Sequence, residues 1–165
     1  MPRLNCLVGR TPAGVPEAVV RRTLVANLRF AAAELKSAGL TLLIEPINTF
    51  DIPGFWLNRT AQAIALMAEV DAPNLLRQYD AYHMQRMEGE LVATLACHLP
   101  LIGHVQIADN PGRHEPGTGE ICHPFLFEQL DRLGYAGWVG CEYRPATTTE
   151  QGLGWFRAYK KETLA

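Results

Sequence analysis

Four oxygen-bearing side chains, Glu45, Asp80, Gln106 and Glu142, each close a short run that contains apolar residues. The clearest case is 41–48, Thr-Leu-Leu-Ile-Glu-Pro-Ile-Asn. Its first four residues favour extended backbone, and Pro46 then forbids the strand to continue as a central ladder. An acid ending a buried apolar strand requires a cation or a hydrogen-bond network beside it. Three carboxylates meeting without a cation would repel one another, and at least one would hold a proton. A hard divalent cation, Mg2+ or Mn2+, accepts oxygen ligands of this kind and leaves positions open for water or substrate. Gln106 offers a neutral amide oxygen; a histidine there would turn the choice towards zinc. The expected set of metal ligands is therefore Glu45, Asp80, Gln106 and Glu142, and the expected chemistry is that of a carbonyl. Each acid taken singly has a plainer reading, as a strand end that faces solvent or caps a helix.

Other residues are candidates around this set. His83 stands three residues after Asp80, on what reads as a loop over 81–88, where it could donate to a substrate oxygen or titrate near neutral pH. His104 shares the side of Gln106, two residues earlier on its strand, and is read in preference as a core histidine. His98, His114 and His123 read as loop or helix-end residues. The segment 109–120 is long for a connector. Arg113 within it presents a planar fork suited to a carboxylate, weighed equally against a solvated charge cluster. Phe55 and Trp56 either close over a small ligand or pack the loop 47–58 down.

The elements that must position these groups alternate. Strands are expected over 4–8, 41–46, 75–80, 102–107 and 137–142. Helices are expected from Pro16 to a stop at Gly39, and over 59–70, 89–99, 124–133 and 148–161. Such alternation argues for parallel β/α units in one domain, 1–165. The acids and the amide fall at the C-terminal ends of successive strands, the edge on which β/α barrels and open α/β sheets build their sites. An open flavodoxin-like sheet competes, but no glycine-rich phosphate loop follows the first strand.

Composition narrows the function classes. The 165 residues are 48% hydrophobic and 19% charged, as in a folded domain with a real core. A net charge of -2 gives no basic footprint for nucleic acid. No apolar run approaches the ~20 residues that span a bilayer, and no signal peptide opens the chain. Cys6, Cys97, Cys122 and Cys141 form no C-x-x-C pair and read as reduced thiols of a cytoplasmic protein.

The motifs together resemble a known group. Glu45-Pro46-Ile47-Asn48, Gln78-Tyr79-Asp80-Ala81-Tyr82-His83, His104-Val105-Gln106-Ile107-Ala108-Asp109, Arg113, Pro116-Gly117-Thr118-Gly119 and Gly140-Cys141-Glu142-Tyr143 are similar to the hydroxypyruvate isomerases of the xylose-isomerase-like barrel superfamily. The likeness runs along essentially the whole chain. It implies a (β/α)8 TIM-barrel fold and isomerisation of hydroxypyruvate, a small-molecule substrate, to 2-hydroxy-3-oxopropanoate. It also implies Glu45 and Glu142 as the acid/base pair, the four metal positions above, and His83 and Arg113 as substrate contacts. A ketose 3-epimerase of the same superfamily and a non-catalytic binding protein are the competing readings. A complete barrel of this kind runs to about 250 residues. This chain carries five strands, the first matching the family's fourth. The first and last strands are then open edges, through which homo-oligomers could form.

Overall fold

The computed structural model describes residues 2–159. Its order is β1 (Arg3–Asn5), α1 (Glu17–Ser37), β2 (Thr41–Ile44), α2 (Thr60–Val70), β3 (Leu75–Asp80), α3 (Ala81–Met87), α4 (Leu91–His98), a 3-10 turn (Leu99–Leu101), β4 (Ile102–Ile107), α5 (His123–Arg132), β5 (Val139–Cys141), α6 (Thr149–Gly152) and a 3-10 segment (Gly154–Tyr159). The strands form one parallel sheet in the order β1-β2-β3-β4-β5. The result is a half-barrel with flanking helices: the alternating pattern predicts its parallel β/α units, and the family resemblance its barrel type.

The helices cover one face of the sheet because their apolar residues recur at helical spacing. Val25, Leu28 and Ala32 of α1 are buried with Ala63, Leu66, Met67 and Val70 of α2 against Leu42, Ile44 and Leu75. Helix α1 starts with Glu17 in its first turn, ends with Lys36 in its last, and is followed by Gly39 at φ 71°. The acid and base complement the helix dipole, and glycine accepts the left-handed turn. A second core, with Tyr79, Val105 and Ile107, lies under α3, α4 and α5.

The other face carries the alternate residues of each strand, since successive side chains point to opposite sides. The register aligns Gln78 with His104, Asp80 with Gln106, and Gln106 with Gly140. A register shift between Arg77 and Gln78 produces the first two alignments. The polar residues of this face thus stand side by side at one end of the sheet.

Several boundaries differ from the sequence expectation. Residues 81–88 are not a loop, because Asp80 caps a helix that begins at once: its Oδ1 accepts from the Tyr82 and His83 N–H groups at 2.8 and 3.3 Å. This places His83 on the first turn of α3. The first strand ends at Asn5 and the fifth spans only Val139–Cys141, since their partners β2 and β4 offer three paired positions each. The last helix is broken at Leu153 into α6 and the 3-10 segment; its expected end at 160–161 lies outside the described residues. Phe55 and Trp56 are 4% and 5% exposed and belong to the core, so they pack the loop down. His104 is half-buried on the polar face rather than in the core. No helix among the described residues is long and apolar enough to cross a membrane.

Candidate active site

The strand ends assemble a cavity of about 410 Å³ lined by Asn5, Glu45, Gln78, His83, Gln106, Arg113 and Glu142 with Leu7, Ile47 and Ile52. Five of the six residues singled out from sequence therefore face one space, and the sixth, Asp80, is buried beside it, 3.7 Å from His83 and 3.9 Å from Arg113. They do not stand in it equally. Glu45 and Asp80 are 3% and 1% exposed, whereas the Glu142 side chain is 55% exposed. Glu45, Asp80 and His83 each bring a polar atom within 4.8 Å of the other two. Gln106 accepts a 2.5 Å hydrogen bond from Gln78 Nε2 through its Oε1.

Asp80 fills the plainer role weighed for it, a helix cap, with only one of its two oxygens. One carboxylate oxygen caps α3, and the other, Oδ2, is buried with no hydrogen-bond partner. Glu45 divides in the same way. Its Oε2 accepts from Asn5 Nδ2 at 2.7 Å, while Oε1 is buried and unpartnered. Burial, and then the charge of Asp80, push the Glu45 carboxyl from 4.5 up to about 7. Burial pushes Asp80 from 3.8 up to about 6 against the opposing pull of Arg113. Two desolvated carboxylates with free oxygens turned to one space are costly as they stand. A divalent cation relieves that cost and prefers oxygen donors of this kind. The residues fit a hard cation.

His83 is 1% exposed. Burial, then Arg113, lower its pKa to about 3, so the ring is neutral. Its Nε2 lies 3.7 Å from Asp80 Oδ2 and 4.0 Å from Glu45 Oε1.

Arg113 is held from several sides. Its guanidinium lies 3.2 Å from Glu142 Oε2 and 3.9 Å from Asp80 Oδ2, with Nε donating to the Glu142 carbonyl at 3.3 Å. It also sits 5.4 Å from the centre of the Tyr82 ring. The loop carrying it is built around Asp109, a residue that sequence reasoning passed over. Asp109 is fully buried, and its carboxylate accepts four backbone N–H groups, those of Asn110, Gly117, Gly119 and Ile121. Gly119 is required there, since a Cβ would collide with the Asn110 carbonyl and the Asp109 carboxylate. Asn5, Asn48 and Gln78 also stand at the site, and no charge pattern marks them in the sequence. His123, read as a helix-end residue, does begin α5 but is 1% exposed, with Nδ1 3.7 Å from Asp109 Oδ2. His114 lies in the loop and is bonded to the Arg144 carbonyl at 2.7 Å.

The model of the xylose isomerase-like TIM barrel family matches residues 1–159. The chain belongs to that family. It is 56% identical to hydroxypyruvate isomerase of Escherichia coli K12 over 96% of its own length and 61% of the relative's. It is 48% identical to the 2-oxo-tetronate isomerase of Cupriavidus necator H16, over 95% of this chain and 60% of the relative. A solved structure from Brucella melitensis, described as an AP endonuclease of family 2, superposes with a TM-score of 0.92 at 41% identity. That match covers 96% of this chain and 61% of the other. The chain thus spans about three fifths of the length of the relatives it matches.

Proposed function

We propose that the chain, a single barrel-type unit over 1–165, carries the active site of an aldose–ketose isomerase that converts hydroxypyruvate to 2-hydroxy-3-oxopropanoate. The observation that carries this reading is the pair of buried, unpartnered oxygens, Glu45 Oε1 and Asp80 Oδ2, both beside His83 Nε2 at the edge of a cavity that Glu45, His83, Arg113 and Glu142 line. The 56% identity to a hydroxypyruvate isomerase supports the substrate.

Glu45, Asp80, Gln106 and Glu142 would hold Mg2+ or Mn2+. Such a cation, when bound, polarises a carbonyl and offsets developing negative charge. Arg113 binds the substrate carboxylate through its fork, exchanging part of its contact with Glu142 for the ligand. One of Glu45 and Glu142 takes a proton from C3, leaving an enediolate. The other supplies a proton to C2, while the C3 hydroxyl proton passes to the oxygen on C2, so the product has the composition of the substrate. His83, neutral, donates to a substrate oxygen.

The test is turnover of hydroxypyruvate by the purified chain with Mg2+ or Mn2+, and its loss with a chelator. Glu142→Gln should cut turnover by orders of magnitude while substrate binding persists. A folded wild-type chain with no turnover under either metal supports the non-catalytic reading instead. The 48% identity to a 2-oxo-tetronate isomerase favours a second substrate, an acid one carbon longer, handled by the same residues. Assays of both acids and of a ketose on one preparation separate these readings from epimerisation.

A further inference from the structure

What His83 can offer a bound oxygen depends on which ring nitrogen carries its hydrogen, and the residues behind the ring decide that. His83 Nδ1 lies 2.6 Å from Asn48 Nδ2. Both residues are buried, at 1% and 0% exposure. The Asn48 amide has one workable orientation. Its Oδ1 accepts the Asp51 backbone N–H at 2.8 Å, and its Nδ2 donates to Asp51 Oδ2 at 3.0 Å. Turning the amide over would set its oxygen against the Asp51 carboxylate and its NH2 against an N–H. Asp51 is itself fixed by Tyr82 Oη and by Arg86, which donate to its carboxylate at 2.8 and 2.5 Å.

With Nδ2 facing the ring, Nδ1 must be the acceptor, and a neutral imidazole then carries its one hydrogen on Nε2. That N–H points towards Asp80 Oδ2 and Glu45 Oε1 at 3.7 and 4.0 Å, both beyond hydrogen-bond range. It is therefore unspent, and it removes the Nε2 lone pair that a metal would need.

We propose that Asn48 is a positioning residue that locks His83 as the Nε2–H tautomer, so that the ring is a fixed hydrogen-bond donor to a substrate oxygen and not a metal ligand. The identity of the acceptor rests on the isomerase reading above; the tautomer does not. Asn48 acts through His83 and touches no substrate. The physical role is that of a group oriented from behind by its other nitrogen, which keeps a donor aimed at developing charge.

The experiment is long-range 1H–15N correlation of the imidazoles in the 15N-labelled chain, metal-free, with His83 assigned by the signals lost in His83→Gln. The expected pattern is a bare Nδ1 and a protonated Nε2. Asn48→Asp should reverse it, because a carboxylate accepts Nδ1–H. The freed Nε2 lone pair should then raise Zn2+ affinity at least about 10-fold, while kcat falls about 100-fold, the effect of losing one aimed donor. Since Asn48→Asp brings a second carboxylate beside Asp51, Asn48→Ala is the companion variant. It should lower kcat by a similar factor and change KM less than about 3-fold, with the thermal midpoint measured alongside. A wild-type ring protonated on Nδ1, or an Asn48→Ala chain that keeps both tautomer and kcat, overturns the proposal. An inert wild-type chain that still shows Nε2–H supports the tautomer lock and overturns the isomerase reading alone.

Discussion

Arg113 and Glu142 form an ion pair at 3.2 Å beside the cavity, with the arginine 3.9 Å from Asp80 as well. The guanidinium thus stands between an exposed acid and a buried one, and is available to a third carboxylate that enters. Replacing Arg113 by Met should raise KM for a keto acid about 10-fold or more and leave KM for a neutral ketose nearly unchanged. Steady-state kinetics with both kinds of substrate check this, and an equal effect on both would show that Arg113 does not read a carboxylate.

Glu45 should lower the stability of the metal-free chain. Its folded pKa of about 7 lies above its ordinary value of 4.5. The native state therefore holds that proton more tightly than the unfolded chain does. The associated stability is complete below about pH 4.5 and is lost as pH rises through 7, a difference of roughly 3 kcal/mol. Glu45→Gln removes the charge and keeps an oxygen for Asn5. With chelator present, this variant should melt several degrees above wild type at pH 8 and at nearly the same temperature at pH 4.5. Thermal melts at the two pH values measure it; a variant that melts lower at pH 8 would contradict the assigned cost.

Metal affinity should follow the same protons. A cation must displace any proton on Glu45, at about 7, and on Asp80, at about 6. Binding of Mn2+ should therefore be nearly independent of pH above 8, weaken up to tenfold per unit just below 7, and weaken more steeply below 6. Titration calorimetry in buffers of different ionisation enthalpy should show proton release on binding at pH 6.5. The absence of release would mean that these carboxylates are not the ligands.

Asp109 should matter through Arg113 although it does not line the cavity. Its carboxylate gathers four backbone N–H groups, and its own N–H and carbonyl bond the His114 carbonyl and the Arg113 N–H. Asp109→Asn turns one accepting oxygen into a donor that faces other donors. The expected cost is about 2 kcal/mol or more in stability, faster amide exchange over 110–121, and a raised KM for the keto acid. Exchange that stays at the wild-type level would show that the loop is held by other contacts.

The parallel β/α units and their polar strand ends were legible in the sequence because they follow from local rules. Apolar β-formers ending in a charged residue, with helical periodicity between them, specify parallel units with polar C-terminal edges. Glu45, Gln106, Glu142, His83 and Arg113 line one cavity, with Asp80 buried beside it. The 81–88 segment was misread because a cap needs no spacer. Asp80 both ends β3 and opens α3, and apolar periodicity cannot register one residue acting in two elements.

The tertiary structure alone decided how these groups divide their work. Which oxygen of Glu45 or Asp80 is bonded and which is bare depends on Asn5 and on the α3 turn, and neither contact leaves a pattern in the chain. The tautomer of His83 is set by Asn48, 35 residues away. The sequence by itself determined which residues stand at the strand ends, since the run of apolar β-formers and the polar residue that closes it are short-range properties. Only the folded chain fixed the direction of each hydrogen bond, because a donor acquires its acceptor from whichever distant segment the packing brings beside it.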